Sequence, residues 1–334
     1  MDTRKIQRLG PSTLAMTLPA EWTSEQNVEK GDEVTIRASG KGTLTVTPES
    51  ASDGDSEASI DAQNFDADSV ERAIVGQYVL GRRIIHVTSE EALDSAHINA
   101  VYKAETQLMG LGVIEETPER ITIRCSVDPE DFTLDNLLER LENTGSTMRS
   151  EAVKALAHGN PDLAQRALNR ERQANKIFVL LLRLIFTAYQ NPSLARAVGL
   201  DDGFPLIGYR SVAKNLELTA DDAEDIAEIA LETEGHTLEI DQPTLRRVRE
   251  FTDQVDKMTA LGVRAVVERD YELTIEARQL FQEIGDRESE ILADLPELPN
   301  EDLLQVREVL VSLQETAQYA MRNAEIAANL ALEE

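Results

Sequence analysis

From Phe132 onward, apolar residues recur at helical spacing almost without interruption for about 200 residues, and this pattern restricts the second half of the chain to packed helices. Breaks come at Gly159-Asn-Pro161, Asn191-Pro192, Gly199 to Pro205, Gly235, Pro243 and Pro296 to Pro299. Proline and glycine there stop helices or cap them. The segments between them predict six helices, at about 133–158, 161–190, 207–234, 243–268, 269–294 and 300–333. Ile177-Phe-Val-Leu-Leu-Leu182 is apolar all round, as a central bundle helix should be. Leu313 to Glu325 has the cadence of Leu216 to Glu228, so two antiparallel three-helix repeats are expected, about 129–238 and 241–334.

Upstream the periods change. Residues 59–128 read as a small α/β unit: a strand near Ile60, a helix from Asp68 to Leu80, a strand Arg83 to Val87, a helix from about Ala92 to Met109, and a hairpin around Pro118. Gly110-Leu-Gly112 reads as a turn, because it precedes a strand and does not open a helix. Residues 49–58 are polar and acidic and read as a spacer. Residues 1–48 carry a strand at Thr13–Leu18, a short helix opened by Pro19, and two strands around a Ser39-Gly-Lys-Gly42 turn. So few residues make a marginal core, and pairing with a second copy is the simplest remedy. The expected fold class is multidomain α+β: a small β-rich head, a small α/β unit, then an all-α pair of three-helix bundles.

The formal net charge is -29, from 62 acids against 8 lysines and 25 arginines. Little lysine beside so much carboxylate resembles proteins of salt-loving archaea, whose surfaces stay hydrated in molar salt. At ~1 M salt the Debye length is about 3 Å, so the self-repulsion is screened. Residues 1–48 balance six basic against six acidic side chains, so the whole excess lies downstream and DNA binding by the head remains open. The longest apolar run is far short of the ~20 residues a membrane span needs, and no signal pattern opens the chain, so a cytoplasmic protein without membrane insertion is expected. The lone cysteine, Cys125, reads as buried strand filler. His86 and His97 lack carboxylates at ligand spacing, and His158 and His236 sit at helix ends as caps. Without a phosphate loop, a His-Glu-x-x-His or a Gly-x-Ser-x-Gly motif, an enzyme is not expected.

The sharpest local feature is acidic. On a helix, Glu217, Asp221, Glu224 and Glu228 fall within about 60° of one another, bordering an apolar stripe of Leu216, Ala220, Ala223, Ala227 and Ala230. Like charges at i,i+4 repel by roughly 0.2–0.5 kcal/mol per pair, so the ladder needs a cation, a basic partner or ample water. Arg210 and Lys214 project onto the same face and can neutralise part of it.

Two family resemblances attach to these residues. Arg4-Lys-Ile-Gln-Arg-Leu-Gly10, Leu14 to Pro19 and Val28 to Val34 resemble the AbrB/SpoVT swapped-hairpin domain. That family binds DNA as an intertwined dimer, which implies Arg4, Lys5 and Arg8 at the phosphates and a homodimeric protein. Where the family commonly has an arginine after Leu-Gly, this chain has Pro11-Ser12, and a head that only dimerises is the alternative. The helical half resembles PhoU, a phosphate-uptake regulatory family built of two three-helix repeats. Its metal-binding pattern matches Glu217, Asp221 and Asp225 followed by Ile226-Ala-Glu228, with Glu171 before Asn175-Lys-Ile177 on the preceding helix. Oxygen-only ligation suits a hard cation such as Mg, Mn, Ca or Fe. The second repeat has Gln314, Gln318 and Arg322 instead, so any metal belongs to the first. The resemblances imply a phosphate-responsive regulator that represses phosphate uptake or its gene expression. The alternative is an adaptor acting on a transporter ATPase or a sensor kinase without touching DNA.

Overall fold

The structure is a computed structural model that describes residues 3–38, 42–48, 56–200, 204–232, 242–295 and 300–333. Most of the Ser39–Gly42 turn, the spacer through Asp55, Gly235, His236 and the Pro296–Pro299 break lie outside the described residues. The chain divides into two compact units, Met1–Ser56 and Glu57–Glu334.

In the first unit, β1 (Gln7–Arg8) pairs antiparallel with β2 (Leu14–Ala15) across a turn closed by Leu9 N–H on Thr13 O at 3.1 Å. Pro19 opens α1 (Ala20–Glu25), and β3 (Val34–Ala38) pairs antiparallel with β4 (Leu44–Pro48). The strand expected over Thr13–Leu18 is paired only at Leu14–Ala15, because β1 offers it a two-residue partner. Pro48 is the one described residue here that is buried, while Ile6, Leu9, Leu14, Met16, Ile36 and Leu44 are at least half exposed. One copy of this unit has almost no core.

The second unit begins with a four-stranded sheet. Its order is β5 (Glu57–Asp61), β6 (Ile84–Thr88), β8 (Arg120–Cys125), β7 (Leu111–Thr117), with β5 and β6 parallel and the other pairings antiparallel. β5 starts inside the stretch read as spacer because alternate residues Ala58 and Ile60 turn inward. α2 (Ala67–Val79) is capped by Asp66 and α3 (Ser95–Gln107) by Asp94, each carboxylate accepting a backbone N–H at 2.8 Å. The Asp94 cap sets the start of α3 three residues later than the periodicity suggests. Val70, Ile74, Tyr78, Ile85, Val87, Val101, Ile121 and Ile123 fill the core, and Cys125 is buried filler as expected.

The helical half comprises α4 (Leu134–His158), α5 (Pro161–Gln190), a short α6 (Pro192–Ala197), α7 (Phe204–Glu232), α8 (Gln242–Glu268), α9 (Tyr271–Asp294) and α10 (Asn300–Ala331). Gly159, at φ 57°, ends α4, and Asn160 caps α5 with Pro161 in its first turn. α4, α5 and α7 form one bundle and α8, α9 and α10 another; α4 meets α8 and α7 meets α10 between them. At that junction Arg149 of α4 is fully buried. Its Nε donates to Asp256 Oδ1 at 2.8 Å and its Nη2 to Thr259 Oγ1 at 3.1 Å, both on α8. Thr259 in turn donates to buried Glu142 on α4 at 2.8 Å.

A second buried arginine joins the sheet layer to the bundle. Arg183 on α5 donates to the carbonyls of Tyr78, Gly81 and Arg82 at the end of α2, and lies 4.8 Å from the Tyr78 ring centroid. Tyr78 lies in the last turn of α2 and Gly81 and Arg82 just follow it, at the helix end where positive charge is favoured. Gly81 takes φ 88° there, and a Cβ on it would stand 2.4 Å from Thr187 of α5.

Candidate functional site

The apolar stripe of α7 is buried as its spacing requires: Leu216, Ala220, Ala223, Ala227 and Ala230 are all at or below 1 % exposed. That fixes the rotation of the helix. Glu217, Asp221 and Glu224 are thereby held partly buried along one flank of α7, with Glu171 of α5 close enough to act on their charges, while Asp225 and Glu228 reach solvent.

Glu171, Asp221 and Glu224 are each raised above the ordinary carboxylate range. Burial is the main cause at Asp221, pushed up to about 6, with the Glu217 charge next, Lys214 opposing and Glu171 and Asp225 adding. Glu171 is raised by burial against the pull of Arg172 and an Asn175 hydrogen bond, and Glu217 raises it further. Glu224 rises through burial, then through the charges of Glu171 and Glu228. Lys214 Nζ pairs with Glu217 and lies 5.7 Å from the Phe178 ring centroid.

The chain thus sets Lys214 against Glu217 of the ladder and Arg172 against Glu171. Among the described residues, no three His, Cys, Asp or Glu side chains converge as a metal centre. Glu171, Glu217, Asp221 and Asp225 act on one another's charges without converging on one point. In the second repeat Arg322 lies 5.1 Å from the Tyr319 ring centroid.

Sequence spacing missed Asp222. It is buried, accepts the Thr316 hydroxyl of α10 at 2.7 Å, and is pushed up to about 7, chiefly by burial. Its partner is distant in sequence, so no local signal marked it.

In the head, Arg4, Lys5 and Arg8 are all exposed at or beside β1. Arg8 Nη1 donates to Pro11 O at 2.8 Å, within its own turn. No helix among the described residues is long and apolar enough to cross a membrane.

Comparison with known proteins matches two separate stretches of the chain. The family model described as the PhoU domain matches residues 138–230, and that described as "Antidote-toxin recognition MazE, bacterial antitoxin" matches residues 7–53. PhoU from Pseudomonas aeruginosa superposes with a TM-score of 0.51 at 19% identity, over 60% of this chain and 96% of that one. The phosphate transport system regulatory protein PhoU from Streptococcus pneumoniae gives 0.49 at 18% identity, over 60% and 94%. No curated protein matches the chain. The class is thus a PhoU-like helical protein. More particularly, it is one with a MazE-like β-rich unit ahead of the bundles.

Proposed function

We propose that this protein is a phosphate-responsive regulator, not an enzyme. A paired head contacts DNA, and the helical half receives the signal through a protein partner, repressing phosphate uptake or its gene expression. The observation that carries this reading is the coreless head. Six large apolar side chains of this unit stand in water, and β1 with the residues just before it carries Arg4, Lys5 and Arg8. A second copy would bury the former and present the latter twice, giving a phosphate-contacting surface that positions the dimer on a duplex. No step of this reading runs through a metal. Gel shifts with DNA from phosphate-uptake promoters should show retention by the full chain and its loss in Arg4→Ala/Arg8→Ala. Failure of the full chain to retain DNA at any salt would overturn it.

One observation favours a second reading. Arg8 is already engaged by Pro11, at the place where the resembling family carries a further arginine. In that case the head only dimerises, and the bundles act as an adaptor on a transporter ATPase or sensor kinase. Co-purification with such a partner by Arg4→Ala/Arg8→Ala as well as by the parent would support it.

A further inference from the structure

We propose that the outer face of α7 and α10 is a self-association surface that closes on a second copy of the chain laid antiparallel across it. This does not rest on how the head functions. Asp222 accepts from Thr316, Asn215 donates to Asn323 at 2.7 Å, and a Cβ on Gly208 would meet Leu330 at 3.5 Å. The two helices therefore run antiparallel and cross near Ala220 and Ala317. Eighteen residues are five full turns, about 27 Å, so Arg210 shares a stripe with Glu228, Lys214 with Glu232, Leu304 with Arg322, and Arg307 with Glu325.

The two ends of this face differ in charge. One end is a groove of 620 Å³ lined by Asp225, Glu228, Glu232, Glu308 and Glu315 around a single cation, Arg307. Its apolar wall includes Leu304 and Val311, 60% and 54% exposed. The other end bears Arg210, Lys214 and Arg322, with Glu325 set among them and Glu217 paired with Lys214. Large apolar side chains left in water on a charged groove mark an interaction site.

A twofold axis lying in the face, across the helices at their crossing, would lay each helix over its own copy in reverse. Positions equally far from the crossing then meet, to within about 5 Å. Arg210 comes opposite the partner's Glu232, and Lys214 opposite the partner's Glu228. Arg322 meets the partner's Glu315, and Arg307 meets the partner's Glu325. Arg307 and Glu325, each among side chains of the other sign, thus find their opposites. Leu304 meets the partner's Leu332, itself 72% exposed. Because the contact is isologous, every pair occurs twice. Turning the second copy parallel would set acid on acid. The mismatches are acid on acid near the axis: Asp221 against its own copy, and Asp225 against the partner's Glu217. Association of this kind covers the acidic ladder and withholds it from any other partner.

Disulfide trapping in the full chain tests this. Leu304→Cys and Leu332→Cys lie at opposite ends of α10, about 42 Å apart, beyond any disulfide within one chain. Cys125 is buried. The oxidised double variant should run as a covalent dimer on a non-reducing gel, with each single variant staying largely uncrosslinked. At low salt Arg322→Glu should lower the yield several-fold, and adding Glu315→Arg should restore it. A double variant that stays uncrosslinked, or an equally strong dimer from Leu304→Cys alone, would overturn the proposal; the latter is the pattern of random encounter through paired heads.

Discussion

Arg149 holds the two bundles in register with a single guanidinium. It is fully buried, while its ion-pair partner Asp256 keeps 20% of its side chain in water. Replacing it by methionine strands Asp256 and removes a charge that favours ionised Glu142. Breaking such a pair costs about 3–5 kcal/mol, and replacing both members by apolar groups costs less. Denaturant unfolding should therefore show Arg149→Met less stable than Arg149→Met/Asp256→Leu. Glu142 yields a pH prediction with a definite sign. Burial raises its carboxyl above 4.5, while the Thr259 hydrogen bond and Arg149 pull it down and Asp256 adds to the rise. The folded state then holds the proton more tightly than the unfolded chain. Its contribution is complete below the ordinary glutamate value and is lost as pH rises through the raised one. Glu142→Gln keeps an acceptor for Thr259 and cannot titrate, so its Tm should fall less than the parent's across that acidic window. Parallel Tm–pH curves would show that burial at Glu142 costs nothing.

At the scale of elements, the joint between α2 and α5 rests on Arg183. Arg183→Met removes the guanidinium from the carbonyls of Tyr78, Gly81 and Arg82, at about 1–3 kcal/mol for each that stays buried with its hydrogen bonding unmet. Hydrogen exchange should speed up in α2 and the β5–β8 sheet while α7 and α10 keep their protection; uniform loss across the chain would refute a local joint. The six long helices were legible because proline and glycine mark their ends and their apolar faces repeat over many turns. α6 was not, because six residues between Asn191-Pro192 and Gly199 are too few to show a period. The same contrast holds at the site. Glu217, Asp221 and Asp225 could be read from i,i+4 spacing on one helix. Asp222, Arg149 and Glu142 could not, since their partners Thr316, Asp256 and Thr259 lie 94, 107 and 117 residues away, and side chains that meet across bundles leave no local pattern. Lys214 was legible as a neighbour of the ladder, and its pairing with Glu217 needed the folded helix.

For the whole molecule, salt acts on the fold and on the proposed DNA contact in opposite directions. A charge of -29, all of it downstream of a neutral head, repels itself over the helical half. Raising monovalent salt from ~0.1 M to ~1 M shortens the Debye length from about 10 Å to about 3 Å and removes most of that repulsion. Close pairs such as Arg149–Asp256 are screened far less. The Tm should therefore climb over this range. DNA binding should weaken over the same range, because each neutralised phosphate releases a counterion. A paired head presenting Arg4, Lys5 and Arg8 twice has at most about six such contacts, for a slope of log K on log salt near -5. If Pro11 keeps Arg8 from the backbone, about four remain and the slope falls to roughly -3.6. Anisotropy of a labelled promoter duplex across the salt range reads that slope, and Arg8→Ala says which count applies. An unchanged slope means Arg8 stays with Pro11, and a drop of nearly two means it reaches DNA in both copies. A Tm that does not rise with salt would mean that the acids sit too far apart to repel, and the acidic surface would then have no bearing on how the fold is held.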